Sequence, residues 1–198
     1  MNKIKQTLLL ATTAFFLVSF TLAITSTNYT VLAGKSTVNW TGYKPGGQHE
    51  GIVDIKSGSL VVEGETITSG EFVIDMKSLK VTDTESQKLH DHLRGVDFFN
   101  VNKYTESKLV IKSSKENGKD NLGNIKLEVT GDLTILDKTN PITFEVVNTG
   151  KTENYRIYSA NIRIDRTKWG ITYKSSFSGD ALINDEFDLK VKIAAKKN

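Results

Sequence analysis

The sequence predicts an all-β protein, a sandwich or barrel of eight or nine antiparallel strands with one short helix, on three observations. Apolar and polar residues alternate along most of the chain, the mark of strands with one buried face. Turn signals such as Pro45-Gly46-Gly47, Glu63-Gly64-Glu65, Asn117-Gly118 and Asn148-Thr149-Gly150 recur between those stretches. There is no cysteine, so stability must come from a real core rather than from disulfides or a Cys-based zinc site.

The chain opens with Lys3 and Lys5 ahead of an uncharged apolar run from Leu8 to Ile24, the layout of a signal peptide. Residues 1–23 are read as that peptide, with cleavage after Ala23, against the competing reading of an uncleaved anchor. The mature domain then spans residues 24–198 and is expected in the periplasm or outside the cell. Loss of Lys3 and Lys5 lowers the net charge from +3 to +1, leaving little long-range field to attract nucleic acid or an anionic membrane.

Strands are expected over Val38 to Tyr43, Gly51 to Lys56 and Ser59 to Glu63, then through Phe72, Ile74 and Met76. Asp83 to Arg94 breaks the alternation. It is polar, lacks Gly and Pro, starts on a capping residue and ends before Gly95, which predicts the helix. Lys108 to Ser113 resumes the strands. From Ile125 to Leu136 the phase is unbroken: Ile125, Leu127, Val129, Gly131, Leu133 and Ile135 share one face. An amphipathic helix would instead repeat every three or four residues. Ile142, Phe144 and Val146 follow, then Tyr158, Ala160, Ile162 and Ile164, and last Phe187, Leu189, Val191, Ile193 and Ala195.

No catalytic set emerges from the residues. Gly34-Lys35-Ser36 resembles the end of a phosphate loop, but Tyr29 stands where the leading Gly belongs. There is no G-x-S-x-G elbow. His90 and His92 are two apart, which on a helix points them to different faces, and His49 is distant, so all three read as surface or hydrogen-bonded histidines. The acidic pairs Asp83/Glu85 and Asp185/Glu186 lie in polar surroundings where ordinary pKa values are expected. The protein is therefore read as non-enzymatic, with no metal and no cofactor. Alternation alone leaves open whether the interior is filled by side chains or holds a small ligand.

Several motifs bear on that choice. They are Ser36-Thr37-Val38-Asn39-Trp40-Thr41-Gly42, then Gly70 to Leu79, then His92-Leu93-Arg94 followed by Asp97-Phe98-Phe99 and Lys103-Tyr104. Val129 to Ile135 with Pro141-Ile142, and Ile164-Asp165-Arg166-Thr167-Lys168-Trp169-Gly170-Ile171, complete the set. In these residues, and over essentially the whole mature chain, the sequence resembles the YceI-like family of exported, polyisoprenoid-binding proteins. It departs from the family pattern at Gly95, where Ser is usual, and at Thr105, where Pro is usual.

The resemblance implies a single eight-stranded, lipocalin-like antiparallel barrel whose apolar tunnel takes a lipid tail. The residues expected to line it are Phe72, Ile74, Met76, Leu133, Ile135, Phe144, Ile162, Ile164, Phe187 and Leu189, with Phe98 and Phe99 near one mouth. Structural roles are expected for Trp40, Arg166 and Trp169: Arg166 stacks on Trp40, or alternatively on Trp169, to close one end. The expected partner is a hydrophobic isoprenoid-type molecule such as a polyprenyl chain, an isoprenoid quinone or a fatty amide. A homodimer is a further expectation, and the sequence leaves open whether it would pair through a sheet edge. The competing function is a packed barrel that binds another envelope protein with its outer face.

Overall fold

A computed structural model describes residues 25–178 and 182–198; the expected signal peptide lies outside the described residues. The strands are β1 (Ser26–Val31), β2 (Thr37–Lys44), β3 (Gly47–Glu63), β4 (Thr66–Val81), β5 (Glu106–Lys119), β6 (Ile125–Ile135), β7 (Lys138–Lys151), β8 (Tyr155–Asp165) and β9 (Glu186–Lys197). The helix α1 (Gln87–Arg94) lies between β4 and β5. All pairings are antiparallel, in the order β3-β2-β9-β8-β7-β6-β5-β4, and β4 pairs back onto β3 to close a barrel.

Nine strands fill eight positions because β1 and β2 lie in tandem, both between β3 and β9. The chain breaks between them in a single 3-10 turn, Ala33–Lys35, so Gly34-Lys35-Ser36 is a strand interruption. Ser36 fills the gap: its Oγ donates to the Leu32 carbonyl at 2.9 Å and accepts from the Ala194 amide at 3.0 Å. Leu32 N–H also donates to the Ala194 carbonyl at 2.8 Å, so contact with β9 continues through the break. Among the described residues every strand of the ring has a paired neighbour on each side, although the β7–β8 ladder covers only Val146–Lys151 against Arg156–Ala160.

Some boundaries differ from the sequence reading. Gly51 to Lys56 and Ser59 to Glu63 belong to one 17-residue strand, β3, bent by register shifts against β4. Asn117-Gly118 lies within β5, where Gly118 takes φ +80°, and the turn comes at Asp120 to Asn124. Asn148-Thr149-Gly150 is a bulge within β7 rather than a turn. The helix starts at Gln87, capped by Ser86 through the Leu89 amide, because Asp83 is already engaged by His49 at 2.9 Å.

The inward faces are packed at one end and hollow at the other. At the packed end Tyr29, Val62, Leu127, Val129 and Ala195 are 0–2% exposed. This end carries the β3–β4, β5–β6 and β7–β8 connections, and β1 runs alongside it. The outer face is tiled by cross-strand ion pairs, among them Lys115–Glu128 at 2.7 Å and Lys126–Glu145 at 2.7 Å.

Candidate functional site

The hollow end holds a cavity of about 490 Å3, within the size range of small-molecule sites. A packing defect would be far smaller. All twelve residues expected along the tunnel line this cavity. Phe72, Ile74 and Met76 come from β4, Leu133 and Ile135 from β6, Phe144 from β7, Ile162 and Ile164 from β8, and Phe187 and Leu189 from β9. Phe98 and Phe99 reach it from the segment after α1.

The lining is broader than the sequence reading made it. Leu109 and Ile111 on β5, Tyr158 and Ala160 on β8, and Val191 and Ile193 on β9 also face the cavity, in the same alternating phase that identified their neighbours. That phase could have found them. Leu89, His92 and Leu93 of α1 also line it, at the i, i+3, i+4 spacing of one helix face, as do Tyr173 and Ile183 of the β8–β9 connection, which carry no periodic signal.

Depth follows from strand geometry. Ile164 to Tyr158 on β8, and Phe187 to Ile193 on β9, each span about 20 Å at 3.3 Å per residue. On β6 the cavity touches Leu133 and Ile135 but not Leu127 or Val129, which belong to the packed end. Gly131 lies between the two regimes, where a Cβ would come within 2.7 Å of the Val110 carbonyl. Trp40 enters the wall by lying over Gly51, where any side chain would meet the indole at 2.4 Å.

Polar groups gather at the mouth, between α1, the β2–β3 hairpin and the β8–β9 connection. His92 meets Phe98 and Tyr173 edge-on, at centroid distances of 5.0 and 4.7 Å, and its Nε2 is 3.0 Å from Asp97. Lys44 donates to His49 Nε2 at 2.7 Å, which leaves His49 Nδ1–H to donate to Asp83 at 2.9 Å. Burial pushes the Asp83 carboxyl up, but the hydrogen bonds from His49 and from the Glu50 amide together hold it below the ordinary carboxylate value. Ordinary behaviour, expected from the sequence, does not hold for this carboxylate.

Arg166 lines the cavity and is 4% exposed. Its guanidinium donates to the carbonyls of Ile171 at 2.7 Å, Asn184 at 3.1 Å and Ile183 at 3.1 Å, tying the β8–β9 connection together. Desolvation pushes its pKa down, opposed by Asp185 and Asp165. The expected stack on Trp40 or Trp169 is not what forms among the described residues: the guanidinium carbon lies 6.0 Å from the Phe98 ring centre. The reason is geometric. Three carbonyls fix the plane of the guanidinium, while Trp40 packs over Gly51 and Trp169, which is not among the cavity-lining residues, donates Nε1–H to the Leu133 carbonyl at 3.0 Å. Trp169, 1% exposed, thereby ties the connection to β6.

This is a blind apolar tunnel with polar groups at its open end. The YceI-like domain matches residues 29–195. The chain belongs to the YceI-like family. Among YceI-like relatives, it is 44% identical over 73 residues to a UPF0312 protein of Vibrio parahaemolyticus, covering 37% of this chain and 34% of that protein. It is 38% identical over 63 residues to Protein YceI of Escherichia coli, covering 32% and 30% of the two chains. These matches thus span about a third of each curated relative's length.

Solved structures show the same fold at lower identity. Burkholderia cenocepacia BcnA superposes with a TM-score of 0.64 at 20% identity, over 83% of this chain and 98% of that one. A polyisoprenoid-binding domain from Saccharophagus degradans, implicated in plant cell wall breakdown, gives 0.65 at 12% identity, over 86% and 98%. Identities this low establish the YceI-like barrel and nothing finer.

Proposed function

We propose that this protein is an exported, non-enzymatic carrier or store that holds an isoprenoid-type lipid, tail inward, in the barrel tunnel. The observation that carries the reading is the blind, continuous apolar cavity with polar groups confined largely to its mouth. A polyprenyl chain, an isoprenoid quinone and a fatty amide share the required chemistry, a long apolar tail with one polar end. Each buried CH2 contributes about 0.8 kcal/mol, so a tail of roughly 15 carbons gains on the order of 12 kcal/mol before its lost freedom is subtracted. Few polar contacts are then needed.

Membership of the YceI-like family and the polyisoprenoid-binding Saccharophagus neighbour support this class of ligand. The basic start and apolar run of residues 1–23 support export to the periplasm or beyond. The packed-barrel alternative requires a filled interior, and about 490 Å3 of empty space speaks against it.

The test is native mass spectrometry of the mature protein from an envelope fraction, followed by organic extraction. A stoichiometric lipid with a prenyl or acyl tail is expected. A clean ligand-free mass, unchanged after incubation with prenyl alcohols, quinones and fatty amides, would return the field to the packed-barrel reading.

A further inference from the structure

We infer that Tyr158 is the length gauge of the tunnel: its ring is the floor against which the tip of a bound chain stops. The inference rests on the proposed lipid-binding function and adds the residue that sets chain length. The ring lines the cavity, while the hydroxyl lies sealed behind it with no hydrogen bond of acceptable geometry. Tyr158 is only 3% exposed, and its register partners are Asn148 on β7 and Ile193 on β9, so the ring is held on both sides.

Behind the ring the chemistry changes. The next inward position on β8 is Arg156, 7% exposed, whose guanidinium donates to the Thr152 carbonyl at 3.0 Å and lies 5.4 Å from the Tyr29 ring centre. Asn148 donates to Glu65 at 3.2 Å. Arg156 Nε and Asn148 Oδ1 are buried without partners. An apolar tip pushed into this layer would have to displace packed side chains and would lie against unpaired polar atoms to which it offers no hydrogen bond, which is unfavourable. Along β8 the ring is therefore the last apolar surface before this polar layer.

Ala160 sits one layer nearer the mouth, paired with Val146 and Val191, and its small side chain leaves the space above the floor open. One layer is two residues, about 6.6 Å. An isoprene repeat has four backbone bonds of about 1.5 Å each and extends to roughly 5 Å. Changing the floor by one layer should thus change the accommodated tail by one isoprene unit.

The experiment titrates the mature protein, stripped of lipid, with a ladder of all-trans prenyl alcohols that differ by one unit. Affinity should rise more than about tenfold per unit until the tail reaches the floor, then level off. In Tyr158→Ala and Tyr158→Leu the plateau should begin one unit later and no further, because the Arg156 layer still blocks the way. In Ala160→Phe it should begin one unit earlier. Plateaus at the wild-type length in both Tyr158 variants would overturn the inference, even if Ala160→Phe shifted. Should neither Tyr158 variant fold, Ala160→Phe decides: a shorter plateau supports the floor and an unchanged one overturns it. Wild-type protein that binds no member of the ladder would instead sink the lipid-binding function itself, and this gauge with it.

Discussion

Tyr158 and Arg166 are two buried polar residues whose positions were legible in different degrees. Arg166 stands in a motif that marked it as structural, yet its partners are backbone carbonyls, which have no sequence signature. Tyr158 follows the strand phase and so could be placed on the inner face, but its role depends on where the cavity ends. Burial pushes its hydroxyl from the ordinary value of 10.0 up to about 12. The folded state therefore resists ionisation of this group. Its contribution to stability is intact below pH 10 and is lost as pH rises from 10 through about 12, by roughly 2–3 kcal/mol. Tyr158→Phe has nothing to ionise there, so urea unfolding at pH 9 and again near pH 12 should show it losing less stability than wild type by about that amount. Equal losses would contradict the placement of the hydroxyl.

Along β6, one strand passes from solid core to open tunnel without any change in its alternation. Period two reports which face a residue occupies and carries no information about depth, so Leu127 and Leu133 look alike in sequence. In the structure Leu127 is 0% exposed in the packed end, whereas Leu133 is 8% exposed and borders the cavity. Truncating Leu127 opens a new void in close packing, while truncating Leu133 enlarges a space that already exists. Leu127→Ala should therefore cost about 3–5 kcal/mol in the lipid-free protein and Leu133→Ala about 2 or less, measured by equilibrium urea denaturation. The reverse order would mean that the tunnel collapses when empty. Other elements were hidden for different reasons. β1 is short and largely polar, α1 starts late because a tertiary contact takes Asp83, and Gly118 and Gly150 sit within strands where their dipeptides signal turns.

The whole barrel closes around a void, so it forgoes the packing that a filled interior would supply and a bound tail restores it. Under the proposed function, ligand binds only the folded state, and stability rises with occupancy as RT ln(1 + [L]/Kd). Lipid-loaded protein should melt several degrees above the same protein after solvent extraction, and adding back a prenyl alcohol should recover the difference. Identical melting curves, with loading verified by mass, would show that the tail is not inside.

A tunnel sealed at one end is also a constraint on traffic. Under the proposed function, cargo that enters by the mouth cannot pass through the packed end from a donor on one side to an acceptor on the other; it must back out the way it went in. A molecule that enters tail first emerges head first. Any acceptor therefore meets the polar group before the tail, and selection between rightful and wrong recipients can be made at that group while the greasy part is still sheltered from water.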